Sequence, residues 1–259
     1  MRHWLPLLED IANTADAIAL RYFRRTDLSV ATKSNLTPVS EADLAIESAT
    51  RKIVAARHPE LGMLGEEEGA TGPTSERLIL DPIDATRNFV RGIPVFATLI
   101  AVEIEHEIVA GMVSAPALGT RWHAERGAGA WSGGRRLSVS RINNWTEAQV
   151  FHGSLGGSES TKWSARVAEL SARAHRDRGF GDFWQHVLVA EGAGELALDP
   201  GTSPWDVAPL MVIVEEAGGR ATSLEGERTI YGGGLVSSNG VMHEVAIAAL
   251  RAESVDPAI

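Results

Sequence analysis

The sequence predicts an α/β protein built from two closely packed lobes. Its 259 residues are 44% hydrophobic and 22% charged, which is typical of a folded globular protein with a sizeable core. In the first half, residues 95–103 and 107–113 are rich in β-branched side chains and predict two paired strands. The second half alternates helical and short strand patterns, as α/β lobes do. We place the boundary near the glycine-rich segment 153–158, which gives predicted lobes at 1–152 and 153–259.

Two amphipathic helices are predicted near the N-terminus. In 5–24, apolar side chains such as Leu8 and Ile11 recur at spacings of three and four residues, which is the period of a helix with one buried face. A second helix is predicted at 40–57, and Pro59 ends it because the residue before a proline disfavours helical geometry.

The remaining elements follow from shorter patterns. The apolar run 78–80 is suited to a buried strand and leads the chain directly onto Asp81. Further strands are predicted at 121–125, 137–140, 149–152, 195–198, 220–222 and 235–238, and further helices at 161–175, 182–191, 206–217 and 241–252.

The charge balance and the lack of cysteine exclude several function classes. The formal net charge is −10, and no basic run provides the positive face that a nucleic-acid-binding protein needs. The chain has no cysteine, which excludes disulfides, zinc-thiolate sites and thiol catalysis. No stretch approaches 18 consecutive apolar residues, and the N-terminus lacks the apolar core of a signal peptide. We therefore expect no membrane span and a cytoplasmic location.

Three acidic islands stand where one predicted element gives way to the next: 65–68, 81–84 and 205–206. In the second island, Asp81 ends a strand and Asp84 follows three residues later. Two carboxylates held so close repel each other unless a cation joins them. Mg²⁺ takes oxygen ligands, and the carbonyl of Ile83 between the two carboxylates would be an additional one. This island therefore favours a metal site.

Residues 85–89 have the pattern of a helix opening directly after that island. The free N–H groups of a first helical turn can bind phosphate, so metal and helix would hold one phosphate from two sides. Thr86 could orient an attacking water, because a hydroxyl both donates and accepts hydrogen bonds.

Each of these features also has a purely structural interpretation. Ser40 and Asp43 fit a capping box, and so do Ser203 and Asp206. An Asp-Pro-x-Asp segment is a common turn, and a run such as 66–68 is usually a solvated charged surface. Taken one at a time, the islands leave the choice between structure and catalysis open.

Taken together, the islands resemble the inositol monophosphatase family. Segments 65–67, 81–89, 205–208 and 216–219 follow one another with the order and spacing of that family over nearly the whole chain. The resemblance implies an α/β fold that is a layered α/β/α/β/α sandwich of the inositol monophosphatase and fructose-1,6-bisphosphatase type. It also implies dependence on Mg²⁺ (two or three ions per site), hydrolysis of a small phosphorylated metabolite by direct water attack, and a homodimer.

The resemblance also assigns roles to individual positions. It implies metal ligation by five residues: Glu66, Asp81, Ile83 through its carbonyl, Asp84 and Asp206. Thr86, with Glu66, would position the attacking water. Asp43 would be the partner of Thr86 or an outer ligand of another metal, which goes against its capping-box interpretation. Lys33 would lie near the same cluster, on the substrate side.

One position departs from the family. Ala85 stands where the family usually has glycine, which lets a backbone N–H come close to the phosphate. If φ at Ala85 is negative, the alanine costs little. If φ is positive, we expect weaker phosphate binding or slower turnover. A metal-binding regulatory protein that kept the fold and lost turnover is the alternative that Ala85 leaves open.

The segment 178–183 bears on the substrate. Asp182 and Phe183 resemble the histidinol-phosphate phosphatases of the family rather than its inositol-directed members. A carboxylate would attract the amine and the imidazole of histidinol phosphate, and Asp199 would add a second acceptor. We therefore predict histidinol phosphate as the substrate, with inositol 1-phosphate as the alternative. The structural interpretation is that Asp182 only caps the helix it begins.

Overall fold

The structure is a computed structural model that describes residues 3–32, 38–156 and 163–251. The helices in these ranges are α1 Leu5–Tyr22, α2 Glu41–Arg57, α3 Thr86–Val90, α4 Ser164–Ser171, α5 Asp182–Ala190, α6 Pro204–Glu216 and α7 His243–Arg251. The strands are β1 Val30–Thr32, β2 Pro38–Ser40, β3 Gly62–Gly65, β4 Gly69–Thr71, β5 Glu76–Asp84, β6 Ala97–Ile104, β7 Glu107–Ala115, β8 Thr120–Glu125, β9 Gly129–Ser132, β10 Arg135–Arg136, β11 Gln149–His152, β12 Arg176–Gly179, β13 Leu196–Pro200, β14 Arg220–Thr222 and β15 Gly234–Ser238.

The larger sheet has eight strands, in the order β10-β9-β8-β7-β6-β5-β3-β4. Its neighbours are antiparallel except β3 and β5, which run parallel. Side chains of a strand alternate between the two faces of a sheet. Accordingly, Ile100 and Val102 of β6 pack with α1, whereas Leu99 and Ala101 pack with α5 and α6. Both faces of this sheet are thus covered by helices.

The second sheet has five strands, in the order β12-β11-β13-β15-β14. One face packs on α5 and α6, and the other packs on α4 and α7 through a separate apolar cluster that includes Val150 and Leu196. The layers therefore run α1 and α2, eight-stranded sheet, α5 and α6, five-stranded sheet, α4 and α7. The α/β/α/β/α sandwich expected from the sequence is confirmed.

Helix α6 lies between the two sheets, and a glycine sets how closely it approaches the larger one. A Cβ added to Gly111 of β7 would lie 2.6 Å from Val212 Cγ1 and 2.8 Å from Pro209 Cα. The helix backbone therefore lies almost directly on the strand. This close contact fixes the height of the first turn of α6, which carries Asp206.

Several predicted elements need correction. The strand predicted at 137–140 is not formed; the chain instead pairs briefly as β10, and Val139 N–H then donates to Ala217 O at 3.1 Å. Strand β12 was not predicted, because its residues Arg176–Gly179 are exposed on the sheet edge and show no apolar alternation. The helix predicted at 161–175 spans 164–171 in the described part of the chain.

The predicted lobe boundary at 152 and 153 stays a prediction. Strand β11, which ends at His152, pairs with β12 and β13 in the five-stranded sheet. Among the described residues, no helix is both long enough and apolar enough to cross a membrane.

Candidate metal centre

A β-bulge brings Asp81 and Asp84 to the same side of the large sheet. Asp81 pairs with Leu99 and Asp84 pairs with Ala97, so three steps along β5 match two steps along β6. Carboxylates three residues apart would face opposite sides of a regular strand, and the extra residue of the bulge cancels that alternation. Pro82 lies at this bulge, where its missing N–H removes no regular ladder bond, and Thr98 Oγ1 donates to its carbonyl at 2.8 Å.

Asp206 joins this pair from helix α6. One carboxylate oxygen from each of Asp81, Asp84 and Asp206 lies within 4.8 Å of the others. The helix begins at Pro204, two residues earlier than predicted, so Asp206 is its third residue and Pro209 lies beyond the first turn. The capping box is formed, because Asp206 Oδ2 accepts from Ser203 N–H at 2.7 Å. Capping and clustering are therefore both present, and neither excludes the other.

The electrostatics of the three carboxylates are those of a site that needs a cation. Burial, and then the charges of Glu66 and Asp84, raise the pKa of Asp81 well above its ordinary value. Burial, and then the charges of Asp182 and Asp206, raise the pKa of Asp84 in the same way. Burial also raises the pKa of Asp206 to about 7. Three acids that resist ionisation beside each other would ionise readily only with a bound cation.

The donor atoms suit a hard divalent ion. Asp81 Oδ1 is buried and has no hydrogen-bond partner among the described residues, as expected for an oxygen kept for a ligand. The cluster offers only oxygen atoms, which is the ligand chemistry of Mg²⁺ rather than of zinc. The residues present therefore fit Mg²⁺.

Asp84 also links the cluster to helix α5. Its Oδ2 accepts the N–H of Phe183 at 2.8 Å, across 99 residues of sequence. The helix cap is Gly181, and Asp182 is the first helical residue, with φ of 51°. Asp84 thus satisfies an N–H at the helix end that Asp182 was expected to cap. The charge of Asp182 raises the pKa of Asp84.

Ala85 has the positive φ that the sequence left undecided. It is the cap of α3, with φ of 64° and ψ of 45°. A left-handed backbone costs an L-residue about 1–2 kcal/mol, a cost that glycine avoids. Ala85 is therefore strained at the position where the chain turns from the bulge into α3. Of the two cases set out from the sequence, the positive-φ case applies.

The hydroxyl of Thr86 has a different partner from the one expected. Its Oγ1 donates to Ile83 O at 2.9 Å and so closes the turn between the bulge and α3. Asp43, the partner proposed from the resemblance, instead accepts from Ser40 N–H at 2.8 Å and from Ser40 Oγ at 2.6 Å. The capping box at α2 is thus real. Asp43 Oδ1 nevertheless has no hydrogen-bond partner among the described residues, and burial raises its pKa to about 7.

Glu66 lies in the turn between β3 and β4, beside the cluster. Its N–H donates to Leu80 O at 3.2 Å, which extends the β3–β5 pairing by one residue. Its charge raises the pKa of Asp43, Asp81 and Asp206. The acidic run 66–68 is therefore more than a solvated surface.

Asp199 and Lys33 are the remaining predicted substrate contacts. Asp199 is the fourth of the five residues of β13. Its Oδ2 accepts from Gln185 Nε2 at 3.2 Å, and its charge adds to the raised pKa of Asp84. A Cβ added to Gly153 would lie 3.0 Å from Asp199 Oδ1, so the glycine leaves room for that carboxylate. Lys33 lies outside the described residues.

Two residues that the sequence reasoning overlooked lie behind the turn that carries Glu66. Glu47 is fully buried, and Arg51 forms an ion pair with it at 2.6 Å. Both lie on α2, four and eight residues after Asp43. That spacing places all three on one face of the helix and was the signal available in the sequence.

Comparison with known proteins places this geometry in a family. The model of the inositol monophosphatase family matches residues 1–254. The chain belongs to the inositol monophosphatase family. The resemblance seen in the sequence is thereby confirmed, and the family is one of phosphoric monoester hydrolases.

Curated relatives narrow the comparison within the family. Histidinol-phosphatase of Mycobacterium tuberculosis is 43% identical over 248 residues, covering 93% of this chain and 95% of the relative. Histidinol-phosphatase of Streptomyces coelicolor is 41% identical over 249 residues, covering 93% and 94%. Inositol-1-monophosphatase of Mesorhizobium japonicum is 31% identical over 231 residues, covering 87% of each chain.

Solved structures of the family share the fold. The extragenic suppressor protein suhB from Bartonella henselae superposes with a TM-score of 0.88 at 28% sequence identity, covering 95% of this chain and 98% of that one. The layered sandwich is therefore a fold that this chain shares with that solved structure.

Proposed function

We propose that the chain is a magnesium-dependent phosphatase that hydrolyses L-histidinol phosphate to L-histidinol and phosphate. The observation that carries the proposal is the carboxylate cluster of Asp81, Asp84 and Asp206, with Asp84 bound to the N–H of Phe183, the residue after Asp182. The similarity to histidinol-phosphatases at 41–43% identity supports the choice of substrate. Histidine biosynthesis, a homodimer and a cytoplasmic location remain predictions.

The residues that would hold Mg²⁺ are Glu66, Asp81, Asp84, Asp206 and the carbonyl of Ile83. When bound, Mg²⁺ supplies Lewis-acid polarisation of the phosphate and lowers the pKa of water, in two or three positions. The residues themselves contribute position: the bulge holds Asp81 and Asp84 on one side, and the capping box holds Asp206.

Thr86 and Glu66 would orient the attacking water. Because Thr86 Oγ1 donates its hydrogen to Ile83 O, its lone pairs are directed away from that carbonyl and can accept a hydrogen bond from water. A carboxylate oxygen of Glu66 would accept the second hydrogen bond. Asp43, with its spare buried Oδ1, would act further out, as an outer ligand rather than as the partner of Thr86.

The phosphate would lie against the first turn of α3. The N–H groups at the start of a helix have no partner within the helix, and they favour an anion. Ala85 stands at this turn with a strained backbone, so the phosphate contact is expected to be weaker than in relatives with glycine.

The rest of the substrate would be recognised by Asp182 and Asp199. An ammonium group and an imidazole can donate charge-assisted hydrogen bonds to two carboxylates, whereas the hydroxyls of inositol gain no such charge attraction. The charges of Asp182 and Asp199 both raise the pKa of Asp84, which supports a place for the two carboxylates near the metal ligands.

Phosphate release tests the proposal directly. The purified protein is freed of metal with a chelator, supplied with Mg²⁺, and given histidinol phosphate, inositol 1-phosphate, fructose 1,6-bisphosphate or adenosine 3′,5′-bisphosphate in turn. We expect histidinol phosphate to be hydrolysed with the highest kcat/KM. Preference for inositol 1-phosphate would overturn the role of Asp182, and no release from any substrate would favour the regulatory protein that Ala85 leaves open.

A further inference from the structure

The turn that carries Glu66 rests on a buried glutamate from helix α2. Glu47 is fully buried, and its two carboxylate oxygens accept the backbone N–H groups of Glu67 at 2.8 Å and of Glu68 at 3.0 Å. The side chain thus binds the backbone of the two residues that directly follow Glu66. A shift of Glu47 would shift that backbone with it.

Arg51, one helical turn later, ties the same turn to strand β4. Its Nη2 donates to Glu47 Oε1 at 2.6 Å, and its Nε lies 3.1 Å from Glu68 Oε2. It also donates to Gly69 O at 2.8 Å and to Thr71 Oγ1 at 2.9 Å. The planar guanidinium with its five donors can serve all these acceptors at once, which a lysine cannot do.

Gly65 leaves the space that this arrangement needs. A Cβ at Gly65 would lie 2.1 Å from Glu47 Oε1 and 2.4 Å from Glu47 Cδ. The glycine is required here by close approach, since its φ is not in the left-handed region. Glu47, Arg51 and Gly65 therefore form one packed support beneath Glu66.

Glu47 does not serve as a metal ligand itself. Its Oε1 is taken by Arg51 and Glu68 N–H, and its Oε2 is taken by Glu67 N–H. Its negative charge is balanced by Arg51 within the support rather than by a cation in the cluster.

We propose that Glu47 and Arg51 are positioning residues that hold Glu66 in the place where it ligates the metal. The inference rests on the proposed function, because it takes Glu66 to be a ligand. Groups that orient metal ligands typically change metal affinity by 10–100-fold when they are replaced. Loss of the support should therefore weaken Mg²⁺ binding more than it slows turnover at saturating Mg²⁺.

The test compares two variants that each break a buried ion pair in the same lobe. Glu47→Gln keeps the size of the side chain and loses the charge. Glu103→Gln is the matched control, because buried Glu103 forms an ion pair with Arg77 at 2.6 Å. Arg77 lies four residues before Asp81 on β5, which puts the two residues roughly 13 Å apart. Mg²⁺ binding is measured by titration calorimetry without substrate, and the unfolding temperature is measured in chelator.

We expect both variants to unfold at lower temperature in chelator, but only Glu47→Gln to bind Mg²⁺ about tenfold or more weakly. Equal Mg²⁺ affinity in Glu47→Gln and the wild type would overturn the proposal and leave Glu47 a structural residue. If Glu47→Gln does not fold, Arg51→Lys is used, for which unchanged Mg²⁺ affinity would likewise overturn it. Because binding is measured without substrate, a failure to hydrolyse histidinol phosphate is a separate result.

Discussion

Replacing Asp206 with asparagine removes one charge from the carboxylate cluster and keeps its shape. The asparagine oxygen can still accept the Ser203 N–H that Asp206 Oδ2 accepts at 2.7 Å, so the capping contact survives. In the metal-free wild type, burial raises the pKa of Asp206 to about 7. The folded protein must therefore ionise a carboxyl that resists ionisation whenever the pH is above 7, and the variant is free of that cost.

The size of this cost follows from the pKa. The interval between the ordinary value of 3.8 and about 7 corresponds to about 4 kcal/mol, at about 1.4 kcal/mol per pH unit. Two effects reduce this figure: Asp206 is partly exposed to water, and the variant loses the attraction between the Asp206 charge and the helix N-terminus. We therefore expect Asp206→Asn to be more stable than the wild type by about 2 kcal/mol. In a chain of this size, that corresponds to roughly 4–8 °C in Tm.

The pH dependence gives the prediction its sign. Between about pH 4 and pH 7 the folded wild type holds a proton on Asp206 that the unfolded chain has released, so the wild type loses stability as the pH rises through this range. Asp206→Asn has no such proton. The stability gain of the variant should therefore be small near pH 4.5 and largest at pH 8.

The assay is thermal unfolding of both proteins in chelator at pH 4.5 and pH 8, followed by Mg²⁺ addition at pH 8. We expect Asp206→Asn to unfold at the higher temperature in chelator at pH 8, and Mg²⁺ to raise the Tm of the wild type only, since bound metal stabilises the folded state. A variant that is less stable than the wild type in chelator at pH 8 would refute the reasoning. That result would mean that the Asp206 carboxylate stabilises the protein more as a helix cap than it destabilises it through charge repulsion in the cluster.

Three further replacements test single positions. Asp84→Asn should abolish turnover and leave the fold intact, since the asparagine oxygen can still accept the Phe183 N–H. Turnover is measured as kcat and the fold by circular dichroism. Unchanged turnover would overturn the assignment of Asp84 to the metal site. Ala85→Gly should bind inorganic phosphate several-fold more tightly, because the methyl group at φ of 64° is removed. Its free energy of unfolding should change by less than about 1 kcal/mol, because the relief of backbone strain is offset by the larger conformational entropy of glycine in the unfolded chain. Phosphate inhibition constants and chemical denaturation measure both, and an unchanged inhibition constant would contradict the role given to Ala85. Asp182→Asn should raise the KM for histidinol phosphate about tenfold, because a charge-assisted hydrogen bond is lost, and should leave the KM for inositol 1-phosphate unchanged. An equal rise in KM for both substrates would show that Asp182 does not determine specificity.

Local patterns were sufficient for much of the architecture. The bounds of α2 and of β14 were predicted to within a residue, and for α2 the signal was a capping box, which neighbouring residues carry. Strand β12 was missed because an exposed edge strand has no apolar face to reveal it. The acidic types at 66, 81, 84 and 206 were also visible, since their order and spacing needed no coordinates.

Only the tertiary structure decided how these residues meet. The bulge that turns Asp81 and Asp84 to one side depends on pairing with β6, and Asp84 reaches Phe183 across 99 residues of sequence. The positive φ of Ala85 depends on the chain turning from that bulge into α3. Residue types follow from the chain itself, but their distances and torsions result from long-range pairing and packing, and the chemistry of a charged site depends on distance.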